Sequence, residues 1–191
     1  QNIAFNEIAR HAITSDPGFC EGNYSSLDQN PDKGLGIARM IGHVTYLSDD
    51  GMGLKFGREI KSGDIAAARG VEFQVESYLQ YQGKNFAKSF DANTYIRMTR
   101  ALDYFDPAEE HGGSLTSAMQ KAQAKFLVIS FSSDWRFSPQ RSQEIVNALV
   151  ASKHDVVSTC IESEHGHDSF LLPLPRYFQV LGGYLEQVVP E

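Results

Sequence analysis

Two short apolar runs, KFLVISF at 125–131 and DVVSTCIES at 155–163, constrain this chain more than any other feature. Each is too brief for an ordinary helix, and consecutive apolar positions fit a strand buried on both faces of a sheet. Between them lies SSDWRFSP, which places Ser138 as the cap and Pro139 as the first residue of a helix running to about Ser152. A strand, a helix of this length and a second strand make a crossover unit with the strands parallel. The stretch PRYFQVLGGYLEQV then supplies a closing helix despite its glycine pair. In such sheets, ligand chemistry gathers beyond the carboxyl ends of the strands.

The residues before this unit read as mainly helical. Ile3, Phe5, Ile8, Ala9, Ala12 and Ile13 follow a helical spacing that stops before the turn Ser15-Asp16-Pro17-Gly18. Residues 19–34, rich in Gly, Asn, Asp and Ser, read as an extended loop, and GIARMIGHVTYLS resumes the helical period. Further helical pieces are expected at about 71–81, 92–104 and 115–123, separated by turns such as QGKNF and DPAEEHGG.

Composition narrows the class of protein. A 191-residue chain with 41% hydrophobic and 21% charged residues suits one sizeable folded domain. The net charge of -7 and the lack of any Lys/Arg run argue against a nucleic-acid or anionic-membrane surface, leaving small molecules or further copies of the chain as partners. No stretch reaches the roughly 18 apolar residues of a membrane helix. Cys20 and Cys160 form no CxxC pair, and Cys160, inside the second apolar run, reads as a buried free thiol, which favours a reducing compartment. The start at Gln1, within an apparent helix and without Met or a leader, reads as a cut.

Both strand ends carry chemistry. Asp134 follows the first strand, and ESEHGHDSFLL puts His165, His167 and Asp168 just past the second. A carboxylate after one strand and an imidazole after the next can form a pair in which the acid fixes the tautomer of a general base. Two other readings stay open: His165, His167 and Asp168 as metal ligands, or all of these as ordinary loop residues. A base needs a nucleophile, yet no G-x-S-x-G elbow occurs in these residues. The nearest imitation, GGSLTS at 112–117, lacks the second glycine and a preceding strand, so Ser114 reads as a helix cap.

Taken together, QNIAFNEIARHAI, ARMIGHVTYLSDDGM, FQVESYLQYQGKNFAKSFDANTYIRMTRALDYFD, FLVISFSSDWRFSP and HGHDSFLL resemble the homoserine O-acyltransferases of methionine biosynthesis over about residues 1–188. The resemblance implies an α/β fold, the C-terminal portion of an α/β-hydrolase with a mainly helical lid. Residues 1–15 would be a helix of the hydrolase core, 16–124 the lid, and 125–191 the closing β-α-β-α of the core. It implies transfer of an acyl group from acyl-CoA to the hydroxyl of L-homoserine through an acyl-serine. The half bearing that serine is expected to be missing here, so the chain alone is expected to be inactive.

By the same resemblance Asp134 is the triad acid, His167 the triad base, and Asp168 a residue that helps hold the substrate ammonium. Arg39 would clamp the substrate carboxylate and Tyr46 its amino group. No metal and no cofactor beyond acyl-CoA as co-substrate are implied. A cytoplasmic homodimer meeting through the lid is implied as well. Arg136, two residues past the acid, favours succinyl-CoA over acetyl-CoA, because a buried succinyl carboxylate needs a cation, although a guanidinium stacked on Trp135 or Phe137 accounts for it equally. An esterase of the same fold, or an inactive helical binding module, are the alternatives, and Arg39 with Tyr46 argues against an esterase.

Overall fold

The computed structural model describes residues 1–61 and 73–188. Its elements, in order, are α1 (Asn2–Thr14), α2 (Asp32–Tyr46), α3 (Asp49–Phe56), α4 (Gln74–Ala87), α5 (Ala92–Tyr104), α6 (Leu115–Met119), β1 (Phe126–Phe131), α7 (Pro139–Ala151), β2 (Val156–Ile161) and α8 (Pro175–Val188). They fall into two compact units: Gln1–Thr45 with Met52–Phe105, and Tyr46–Gly51 with Asp106–Glu191.

The first unit is helical. Helix α1 buries Asn6, Ala9, Arg10 and Ile13 along one stripe, and Ala9 and Ile13 join Tyr24, Leu35, Ala38, Ala87 and Ala92 in the core. The two polar members of the stripe meet one carboxylate on α5. Asn6 Nδ2 donates to Asp103 Oδ1 and Arg10 Nη1 to Asp103 Oδ2, both at 2.7 Å. Burial works against the Arg10 charge, but hydrogen bonds to Asp103 and Glu7 outweigh it and raise its pKa.

Several sequence expectations are corrected here. The supposed extended loop at 19–34 is packed: it holds 3₁₀ turns at Pro17–Gly22 and Tyr24–Leu27, and α2 begins inside it, at Asp32. The cause is tertiary. Asp16 accepts hydrogen bonds at 2.8 Å from the backbone N–H of both Gly18 and Gly34, tying the turn to the first turns of α2. QGKNF is not a turn but part of α4. Gly83 is tolerated in that helix because a Cβ there would sit 2.8 Å from the Gly36 carbonyl oxygen, so only glycine lets α4 approach α2. The expected piece at 71–81 falls partly outside the described residues and α4 runs on to Ala87, whereas the piece at 115–123 stops at Met119. Helix α3 has no counterpart among the expected helices, and two glycines, Gly51 and Gly53, lie within it.

The Tyr24 hydroxyl donates to Asp91, and Asp91 Oδ1 also caps α5 by accepting from Thr94 N at 2.6 Å. Burial, helped by this bond, raises the Tyr24 pKa. The Tyr24 and Thr94 bonds lower that of Asp91 against burial. Asp91 therefore stabilises the fold above the unfolded carboxylate pKa of about 3.9, and loses that contribution as pH falls through its depressed folded value. Tyr24 contributes below its unfolded pKa of about 10 and ceases to as pH rises through its elevated folded value. Asp91→Ala is expected to cost about 1–2 kcal/mol at pH 7, with a gap from wild type that narrows at pH 3; urea melts at the two pH values measure it.

In the second unit β1 and β2 are parallel, paired from Phe126↔Val156 to Phe131↔Ile161. Val128 and Ser130 line the α7 side of β1, with Pro139 and Val146. Leu127, Ile129 and Phe131 line the α8 side, with Tyr177 and Leu181. Ser114 caps α6 by accepting from Ser117 N at 3.2 Å, as its sequence context suggests. Ser138 occupies the N-cap of α7 but its side chain makes no capping hydrogen bond. The expectation of buried strands fails for both: β1 is only half-buried before Phe131, β2 is half-buried or exposed before Ile161, and Cys160 is exposed, not a buried thiol. Among the described residues β2 has β1 as its one neighbour, and that leaves its outer side open.

Candidate active site

The loop after β1 is shaped by one carboxylate. Asp134 is 5% exposed, and its Oδ1 accepts the backbone N–H groups of Arg136 at 3.1 Å and Phe137 at 2.8 Å. Those bonds fix the side chain so that Oδ2 points at the loop after β2, where it meets His167 Nδ1 at 2.7 Å. A carboxylate can only accept, so Nδ1 carries the proton and the neutral ring presents Nε2 as an acceptor. This is the tautomer a general base needs.

His167 lies in the 3₁₀ turn Gly166–Leu171. Fully buried Ser169 donates to the Gly166 carbonyl at 2.6 Å and shares a 2.8 Å contact with the Ser163 hydroxyl, which holds the turn closed. The imidazole is surrounded by rings: Phe137 at 4.5 Å, Phe170 at 5.3 Å and Tyr46 at 5.4 Å between centroids. The Arg136 guanidinium stacks over Tyr46 at 5.1 Å and over Phe137 at 5.6 Å.

The fold thus brings Asp134, His167, Tyr46 and Arg136 together. His165 occupies the N-cap position of the turn without a side-chain capping bond, its backbone N–H donates to Ser163 Oγ at 3.3 Å, and the carboxylate contact belongs to His167 instead. Asp168 follows His167 in the same turn, half-buried. Arg39 lies two helical turns before Tyr46 on α2, in the helical unit, with its guanidinium 5.1 Å over the Phe86 ring. No group of three or more His, Cys, Asp or Glu side chains is placed to hold a metal among the described residues. No described helix is long and apolar enough to cross a membrane.

Sequence reasoning passed over the residues that brace the loops carrying Asp134 and His167. Ser133 Oγ accepts from Gly166 N at 2.9 Å, and Trp135 Nε1 donates to the Leu47 carbonyl at 2.9 Å. The available signal was the glycine between the two histidines: Gly166 has φ +65°, which only glycine adopts at little cost.

No family model matches the chain. Among solved structures, homoserine O-acetyltransferase from Bacillus anthracis superposes with a TM-score of 0.80 at 20% identity, over 97% of this chain and 48% of that one. Esterase E22 gives 0.79 at 24%, over 96% and 50%. With a parallel strand–helix–strand unit bearing a carboxylate after one strand hydrogen-bonded to an imidazole after the next, these likenesses assign the chain to the α/β-hydrolase fold. Among curated proteins, the homoserine O-succinyltransferase of Cupriavidus taiwanensis is 59% identical over all 191 residues, and that of Cellvibrio japonicus 60% over 190. Over its whole length the chain is a homologue of the homoserine O-acyltransferases. It spans about half the length of these relatives, 49% and 50% respectively.

Proposed function

We propose that this chain supplies the acid, the base and the acceptor-reading residues of an acyltransferase that moves a succinyl group from succinyl-CoA to the hydroxyl of L-homoserine. The observation that carries this reading is the 2.7 Å hydrogen bond from His167 Nδ1 to Asp134 Oδ2. The donor and acceptor follow from relatives named homoserine O-succinyltransferase.

In this reading the nucleophile is a serine that these residues do not supply. His167 Nε2 takes the serine proton as the serine oxygen attacks the thioester carbonyl. Collapse breaks the carbon–sulfur bond, and CoA leaves as the thiol with that proton. The homoserine hydroxyl next gives its proton to Nε2 as its oxygen attacks the acyl-serine. Collapse then releases the O-acyl product and returns the proton to serine. Asp134 remains ionised and stabilises the imidazolium. Arg39 binds the homoserine carboxylate, and Tyr46 and Asp168 its ammonium. The reaction serves methionine synthesis in the cytoplasm, in a homodimer formed through the helical lid, with acyl-CoA as co-substrate and no metal or other cofactor.

The test is homoserine-dependent CoA release from the full-length protein with succinyl-CoA or acetyl-CoA, with this chain alone as the inactive control. Succinyl-CoA is the expected donor, and a preference for acetyl-CoA overturns that assignment. Arg136→Leu is expected to lower the succinyl-to-acetyl ratio of kcat/KM by roughly tenfold or more, the loss of one charge-assisted hydrogen bond. An unchanged ratio would leave Arg136 as support for Tyr46 alone. Ester hydrolysis indifferent to homoserine would replace the transferase with an esterase.

A further inference from the structure

The six residues Tyr46–Gly51 leave helix α2 yet group with the sheet-bearing unit. Three contacts that the proposed mechanism does not use hold them there. Ser48, 5% exposed, donates its hydroxyl proton to the Glu164 carbonyl, and the same oxygen accepts from Gly51 N at 2.9 Å. The Leu47 carbonyl accepts from Trp135 Nε1. Gly166 lies so flat on the segment that a Cβ there would come within 2.6 Å of Ser48 N and of the Tyr46 carbonyl oxygen. Trp135 neighbours Asp134, and Glu164 and Gly166 flank the approach to His167. The segment is therefore bound to both loops that carry the acid and the base.

Tyr46 is the last residue of α2, where helical geometry stops fixing a side chain. A ring that must sit beside an imidazole needs support from elsewhere, because a shift of about 1 Å in a binding group can cost two orders of magnitude in rate. We infer that Ser48 is a positioning residue for the transfer reaction: its hydroxyl bridges the Tyr46 segment to the His167 loop and thereby sets the acceptor-reading tyrosine against the general base. The inference rests on the reading of Tyr46 as an acceptor contact. Ser48 suits the task because one hydroxyl both donates and accepts, and alanine would strand the Glu164 carbonyl and the Gly51 N–H together.

The experiment compares wild type, Ser48→Ala, Ser48→Thr and Trp135→Phe in the full-length protein at saturating succinyl-CoA. It measures the KM for homoserine and the division of acyl groups between homoserine and water. Ser48→Ala is expected to raise that KM fivefold or more and to lower the transfer-to-hydrolysis ratio by a similar factor. Ser48→Thr, which keeps the hydroxyl, should restore most of both. Trp135→Phe removes a different bond to the same segment and should shift both readouts in the same direction, so the inference is tested even if Ser48→Ala fails to fold. A purely structural role lowers active protein in all assays while leaving KM and the ratio at wild-type values, and that outcome in Ser48→Ala or, failing it, in Trp135→Phe overturns the inference. Wild-type protein without homoserine-dependent CoA release overturns the proposed function, and this inference with it.

Discussion

Under the proposed function, His167→Ala in the full-length protein is expected to lower homoserine-dependent CoA release by about four orders of magnitude or more, while His165→Ala retains most of the activity. The two histidines are separated by one glycine, yet only His167 meets the buried carboxylate of Asp134. In the proposed cycle, removing His167 would leave the nucleophile and homoserine with nothing to take their protons in either half. Asp134→Asn should be nearly as damaging, because an amide nitrogen facing Nδ1 can stabilise the wrong tautomer. Steady-state kinetics of the three variants, with and without a chelator, distinguish the readings: equal losses in both histidine variants, or sensitivity to chelator, would restore the paired-histidine metal site in place of the dyad.

Gly166→Ala is expected to destabilise the protein by about 2–4 kcal/mol, through two penalties that act together. Its φ of +65° disfavours any side chain, and the added methyl would strike the backbone of Tyr46, Leu47 and Ser48 at 2.6–2.8 Å. Backbone cannot swing aside as a flexible side chain can. Gly112 provides the control. Its φ is +67° but nothing lies within 4 Å of a Cβ built there, so Gly112→Ala should cost only about 1 kcal/mol. Denaturant midpoints of the two variants separate conformational strain from close approach, and equal losses would show that the contact contributes nothing.

The placement of Asp134 and His167 beyond the ends of adjacent strands was legible because its signals are local. Apolar runs of strand length, a Ser-Pro helix start and polar residues just past each strand end require no knowledge of distant contacts. What was lost depended on partners far along the chain. The early start of α2 rests on Asp16 reaching Gly34, and the continuity of α4 through Gly83 rests on Gly36 of another helix. Helix α3 hides behind two glycines that usually signal turns, and Cys160 is exposed although its local run is apolar. The bridge through Ser48 was invisible for the same reason: its partner Glu164 is 116 residues away.

The acid and base stand at the ends of two strands joined by a single helix, only 33 residues apart, in one compact unit, whereas Arg39 belongs to the other. In the proposed reading, one unit therefore carries the residue assigned to the acceptor's carboxylate, while the other carries those assigned to its ammonium together with the proton-transfer pair. Exchange of the helical unit alone would then change which acidic group an acceptor must bear, while the amine contacts and the proton-transfer pair descend unaltered.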